Sequence, residues 1–117
     1  MNIRSSALYP FEAGPLTPPV FYILLALAQG ETHGYAIGDR ALRDSGGRVV
    51  ISSGTLYDAL KRLTAQGFTE KVVNATGALR NYALTSRGEA ILREEVLRYR
   101  EAVAVANEFL LPTSPAS

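Results

Sequence analysis

Thr55, Tyr57, Asp58, Lys61 and Arg62 fall close together, with Ser53 just upstream. Small hydrogen-bonding groups come first and cations follow. On a helix this order suits a nucleic-acid duplex, because the first residues reach base edges and the later cations meet phosphates. It equally suits an ordinary amphipathic helix with a solvated polar face. The same stretch holds Leu56, Ala59, Leu60 and Leu63 at i, i+3, i+4 and i+7, a stripe for burial. Ser52 or Ser53 can cap its first turn by accepting an orphan backbone N–H. Taken alone, the stretch leaves both readings open.

Other chemistries find little support. The chain has no cysteine, so disulfides and thiolate metal sites are excluded. His33 is the sole histidine, and no carboxylates are spaced to complete a metal site with it. It suits a helix cap or a turn better than a direct phosphate contact. Tyr35 reads as half-buried packing whose hydroxyl can reach a phosphate. Glu94 and Glu95 are adjacent and so diverge on a helix; no Ser/His/Asp set and no glycine-rich phosphate loop is present. No enzyme, no cofactor and no metal is expected.

The elements that position these groups follow from period and punctuation. The chain has 117 residues, 47% of them hydrophobic and 20% charged, the size and composition of one globular domain. Residues 1–16, with Tyr9, Phe11 and Leu16 among Pro10, Gly14 and Pro15, read as a flexible arm. Thr17-Pro18-Pro19 starts a helix along which Val20, Ile23, Leu24, Leu27 and Ala28 line one face, with Phe21 and Leu25 on a second; Gly30 ends it. After the connector Gly30–Gly34, a second helix runs from Tyr35 to Leu42 and stops at Ser45-Gly46-Gly47. Arg48-Val49-Val50-Ile51 is expected as a short β-branched strand. The Ser53–Gln66 helix follows and Gly67 caps its end. Phe68–Val73 and Leu79–Leu84 then form a hairpin about the turn Asn74–Gly77. This order predicts an α+β, mainly α fold: a winged helix-turn-helix over 17–84.

A last helix is expected over 85–111, capped by Thr85, with a frayed tail over 112–117. Leu92, Val96, Tyr99, Val103, Ala106 and Leu110 are spaced 4, 3, 4, 3, 4, a stripe that seats against another helix. It can pack on the first helix of its own chain or dimerise with a second copy. Dimerisation is the expectation, since a short chain has little left to cover such a helix. Net charge is only +1, but between His33 and Arg87 eight cations face four anions. The middle is the basic part, and cations on one face suffice for a nucleic-acid partner. The start leads into no long apolar run, and Val20–Ala28 is too short to span a bilayer; the reading is a cytoplasmic protein without a membrane partner.

Leu24-Leu25-Ala26-Leu27, Gly30, His33-Gly34-Tyr35-Ala36-Ile37, then Gly54-Thr55-Leu56-Tyr57 with Leu60, Leu63 and Gly67, then Tyr82, Leu84-Thr85 and Gly88 together resemble the PadR family of bacterial transcriptional regulators. The resemblance covers about residues 16–106, and the length is similar to the short subfamily with a single C-terminal dimerisation helix. It implies a dimeric winged helix, usually a repressor, whose third helix reads the major groove while the wing approaches the minor groove. Mapped here, the recognition helix is Ser53–Gln66 and the wing Val73–Arg80. The implied operators are inverted repeats with ATGT and ACAT arms, and the implied effectors are phenolic acids or planar drugs. This wing carries fewer arginines than many in the family, and the chain lacks the tryptophan that drug-binding relatives stack on ligand, so drug sensing is not carried over from the resemblance.

The expectation is therefore a sequence-specific regulator of transcription, a homodimeric repressor of double-stranded DNA at an inverted repeat. Ser53, Thr55, Tyr57, Asp58, Lys61, Arg62, Lys71, Arg80 and Tyr35 are its candidate DNA-binding residues. Release by a small aromatic or hydrophobic effector is a further expectation, with Phe21, Leu25, Tyr99 and Val103 as candidate walls of a pocket. The alternative is a winged helix used only to bind another protein.

Overall fold

The computed structural model describes residues 15–110. Of the arm expected over 1–16 only Pro15 and Leu16 lie inside that range, and the tail over 112–117 lies outside it.

Helix α1, Pro18–Ala28, begins where Thr17 Oγ1 accepts from the Val20 amide at 3.4 Å. The two prolines sit in the first turn, where no intrahelical N–H is lost. Strand β1 is the two residues Thr32–His33, and helix α2 runs Gly34–Asp44. Helix α3, Ser53–Ala65, is capped by Ser52, whose Oγ accepts from the Thr55 amide at 3.3 Å. Gly67, at φ 84, turns the chain out of it. Strands β2, Thr69–Val72, and β3, Asn81–Leu84, form the hairpin. Helix α4 spans Ser86–Leu110.

The sheet order is β1-β3-β2, with all pairs antiparallel: Thr32 opposite Tyr82, and Thr69 opposite Leu84. The third strand is therefore not the one expected. Arg48–Ile51 forms no strand, because its backbone is engaged otherwise: Gly46 and Gly47 turn the chain at φ 67 and 86, and the Val49 amide donates to Ser45 Oγ at 2.8 Å. Residues 32–33, read as connector, take the free edge of β3 instead. β-branched composition favours a pleated surface only where a partner strand is available.

Ile23, Leu24 and Ala26 of α1, Ile37 of α2, Leu56, Ala59, Leu60 and Leu63 of α3, Phe68, Tyr82 and Ile91 and Leu92 of α4 make one core. The opening of α4 is fixed by a close approach. Thr85 Oγ1 donates to the Gly67 carbonyl at 2.6 Å and accepts from the Gly88 amide at 3.0 Å. A Cβ on Gly88 would fall 2.9 Å from Leu84 Cδ1 and closer still to the Phe68 carbonyl oxygen. Only glycine lets the helix lie this near the strand. Beyond Tyr99 the helix leaves the body, and Val103, Val105, Phe109 and Leu110 are exposed.

Candidate nucleic-acid interface

Helix α3 presents three different surfaces. At 3.6 residues per turn, Gly54, Asp58, Lys61 and Ala65 stand opposite the buried Leu56, Leu60 and Leu63. Thr55, Arg62 and Gln66 form one flank; Ser53, Tyr57 and Thr64 form the other. All the polar candidates on this helix, Ser53, Thr55, Tyr57, Asp58, Lys61 and Arg62, are exposed.

The Tyr57 flank opens onto a groove of about 480 Å³ between the start of α2 and the hairpin. His33, Tyr35, Tyr57, Leu79, Arg80 and Asn81 line it. The fold thus brings together Tyr35, Tyr57 and Arg80, which lie far apart in sequence. Tyr35 is 79% exposed, more than the half-buried packing expected of it, and its ring lies parallel to His33 at 6.5 Å. Tyr57 is half exposed. A Cβ on Gly34 would fall 2.6 Å from its Cζ and closer still to its hydroxyl oxygen, so the ring covers the bare backbone of Gly34. That contact joins the two sequence motifs: glycine follows His33 because tyrosine closes the other motif. Burial, and secondarily the nearby Tyr57, push the Tyr82 phenol above its ordinary value of 10.0.

The wing tip is built on Asn74. Its Oδ1 accepts from the Thr76 amide at 2.9 Å, the Thr76 hydroxyl at 2.7 Å and the Ala78 amide at 3.0 Å, and its own amide donates to the Ala78 carbonyl at 2.7 Å. Gly77 takes φ 90. A short polar side chain that holds its own turn fixes the loop without a core, and so fixes where Arg80 stands. Lys71 lies on β2 opposite Tyr82, exposed and outside the groove. Arg62 is also outside it, beside a cleft of about 160 Å³ shared with Leu16, Val20 and Gln66. Among the described residues Lys61, Arg62, Lys71 and Arg80 are in no ion pair.

The last helix divides the candidate dimer stripe. Leu92 is buried in the protomer's own core and Val96 packs against it, while Tyr99 meets Phe21 at 5.0 Å between ring centroids. Val103 and Leu110 are exposed, and Ala106 is half-buried. Of the candidate pocket residues, Phe21 is buried and Leu25 packs against the core. A cleft of about 490 Å³ is lined by Phe21, Tyr22, Arg48, Val49 and Tyr99; of the four expected pocket residues it takes in Phe21 and Tyr99, while Leu25 and Val103 lie outside its lining. Glu95, whose sequence position showed only that it diverges from Glu94, is buried, and its oxygens accept from the Leu16 amide at 3.0 Å and from Arg98 Nε at 3.0 Å. Burial, then the Glu95 carboxylate, raises the Tyr99 phenol. Among the described residues no group of histidines and carboxylates could hold a metal, and no helix is long and apolar enough to cross a membrane.

This architecture has relatives. An uncharacterised 37.1 kDa protein of a Streptomyces fradiae transposon is 38% identical over 73 residues, covering 62% of this chain and 20% of that protein. The chain thus spans one fifth of that relative's length. The solved structure of a PadR family transcription regulator from Clostridium difficile is 25% identical with a TM-score of 0.65, over 80% of this chain and 99% of that one. A PadR-like transcription factor from Bacteroides fragilis is 25% identical with a TM-score of 0.61, over 92% and 98%. The family model "Transcriptional regulator PadR-like family" matches residues 23–94, from α1 through the wing and into α4. A match that runs from within the first helix through the wing to the root of the last helix leaves one conclusion: the chain belongs to the PadR-like family of transcriptional regulators.

Proposed function

We propose that the protein is a homodimeric repressor that binds an inverted-repeat operator through α3 and the wing. The observation that carries this reading is the exposed, unpaired face of α3, with Lys61 at its centre and Tyr35, Tyr57 and Arg80 gathered along one flank. In this reading Ser53, Thr55, Tyr57 and Asp58 meet base edges; Lys61, Arg62, Lys71 and Arg80 meet phosphates, and Tyr35 adds a hydroxyl. Dimerisation rests on the half of α4 beyond Tyr99, where Val103, Val105, Phe109 and Leu110 form an exposed apolar surface. Two copies joined there place two recognition helices on successive major grooves, about 34 Å apart.

The cleft beside Phe21 and Tyr99 supports control by a small planar, largely apolar effector, since aromatic walls with one cation at the rim suit such a molecule. An effector releases DNA only by favouring a dimer geometry that spaces the two helices badly.

The test is fluorescence anisotropy with the DNA upstream of the protein's own gene against a shuffled duplex. Tight binding to the first alone supports the reading; equal, weak binding to both turns it toward a winged head that recognises protein. A panel of aromatic compounds, scored by calorimetry and by operator release, tests the effector. Compounds that bind without releasing DNA leave a pocket and no switch.

A further inference from the structure

From the groove between α2 and the wing we infer that His33 holds a DNA phosphate while it caps α2, and that the cap is what aims it. The inference rests on the proposed operator binding and adds a residue to it.

His33 Nδ1 accepts a hydrogen bond from the Ala36 amide at 3.3 Å. An imidazole nitrogen that accepts carries no proton, so the neutral ring must carry its proton on Nε2. Capping therefore fixes the tautomer. It also fixes the direction of the remaining N–H, because three restraints act on the ring. Its backbone is paired with Asn81 across the sheet, its Nδ1 is held by the cap, and its face lies parallel to the exposed Tyr35 ring at 6.5 Å. Nε2 makes no hydrogen bond among the described residues, and the side chain lines the groove together with Tyr35, Tyr57 and Arg80.

The helix start is not itself the anion site, since His33 already satisfies the amide it would offer. What remains is a pre-oriented neutral donor beside the unpaired guanidinium of Arg80. A phosphate oxygen of one DNA strand matches that pair: Arg80 supplies the charge and His33 a directional hydrogen bond. Rigid placement matters because an already ordered donor loses little entropy on binding.

The experiment compares the full-length protein with His33→Ser and His33→Ala on the operator and on a shuffled duplex. Serine keeps a capping oxygen and removes the ring donor. We expect His33→Ser to melt near the parent and to bind both duplexes more weakly by the same factor, roughly tenfold per half-site for the loss of a hydrogen bond to a charged group and so roughly a hundredfold for the dimer. Its salt slope should stay that of the parent, because a neutral donor releases no counterion. Phosphate ethylation should locate one phosphate per half-site whose modification weakens the parent and leaves His33→Ser unaffected. His33→Ala should show the same DNA defect plus a lower melting temperature. If His33→Ser binds like the parent, or both share one ethylation pattern, the assignment of His33 is wrong while the repressor reading stands. If the parent itself binds no duplex, that reading falls and this one with it.

Discussion

Gly34→Ala tests how the reading head is aligned. Gly34 opens α2, and the Tyr57 ring of α3 lies across its backbone, so an added methyl would meet Cζ at 2.6 Å and the hydroxyl oxygen more closely. Either α3 shifts away from α2 or Tyr57 swings outward, which its half exposure permits. Overpacking of this kind costs about 1–3 kcal/mol. The outward swing puts the cost at the lower end of that range and still moves a ring on the face proposed to meet DNA. Gly38 is the internal control: it lies in the same helix, and a Cβ there meets nothing within 4 Å. Gly38→Ala should gain about 0.5–1 kcal/mol by restricting the unfolded chain and favouring the helix. In a domain of this size 1 kcal/mol moves the melting temperature by about 4–8 °C, so the two substitutions should separate clearly and in opposite directions. Tyr57→Ala supplies the second arm. With the ring gone, Gly34→Ala should become neutral or favourable, a coupling readable from the four-protein cycle. If Gly34→Ala melts like the parent in both backgrounds and binds operator equally well, the ring does not rest on Gly34 as described.

Gly88→Ala should be more damaging than Gly34→Ala, by more than about 3 kcal/mol, because the methyl meets the Phe68 carbonyl and backbone cannot swing aside; chemical denaturation reads it. Val103→Glu should leave the winged head folded and give a monomer by sedimentation, since it places a charge in the surface proposed to join two copies; a dimer of unchanged stability would refute that surface. Tyr82 and Tyr99 are both held above the ordinary phenol value of 10.0. A raised folded value favours the protonated fold, so their contribution is complete below about pH 10 and is lost as pH rises through the folded values. The urea midpoint should therefore fall above about pH 10, and Tyr99→Phe should reduce the fall.

Period and caps made most of the fold legible. The stripe Leu56, Ala59, Leu60, Leu63 is buried as its spacing requires, and Thr17, His33, Ser52 and Thr85 all accept from backbone amides at helix starts. These are local signals, carried by residues within one turn of each other. What escaped was set by tertiary partners. Strand β1 is only two residues long, too short for alternation to show, and it exists because β3 has a free edge. Gly34 and Gly88 read as family punctuation; their physical reason, a ring and a carbonyl lying against them, comes from residues 23 and 20 positions away. Adjacency showed only that Glu94 and Glu95 diverge; that Glu95 is the one buried, bound to the Leu16 amide and to Arg98, depends on what packs against the helix. The even spacing of the last stripe concealed a change of role, since Leu92 belongs to the protomer's core and Val103 to its surface. Periodicity reports that a face is apolar and is silent on what covers it.

Net charge understates the available cations for a related reason, and the structure turns that into a number. Several cations are engaged within the fold. Arg40 donates to the Ala26 and Gly30 carbonyls at 2.9 Å each, closing the end of α1. Arg87 lies 5.3 Å from the Phe68 ring centroid, Arg93 pairs with Glu89 at 2.8 Å, and Arg98 binds Glu95. Lys61, Arg62, Lys71 and Arg80 have no such ion pair among the described residues. Binding to a phosphate therefore breaks no internal pair for these four, and each can release DNA counterions. Each neutralised phosphate contributes about 0.9 to the slope of log affinity against log salt concentration. Four contacts per protomer in a dimer give a slope of about −7, far steeper than a chain of net charge +1 suggests. Alanine at any one of the four changes two contacts in the dimer, and should reduce the slope by about 2 while weakening operator and random DNA alike. Arg62 is the most demanding case, since it stands on the flank facing Leu16, outside the groove that holds Arg80. A parent slope near −5, with Arg62→Ala unchanged, would show that this flank never meets the duplex and that only three cations per protomer do.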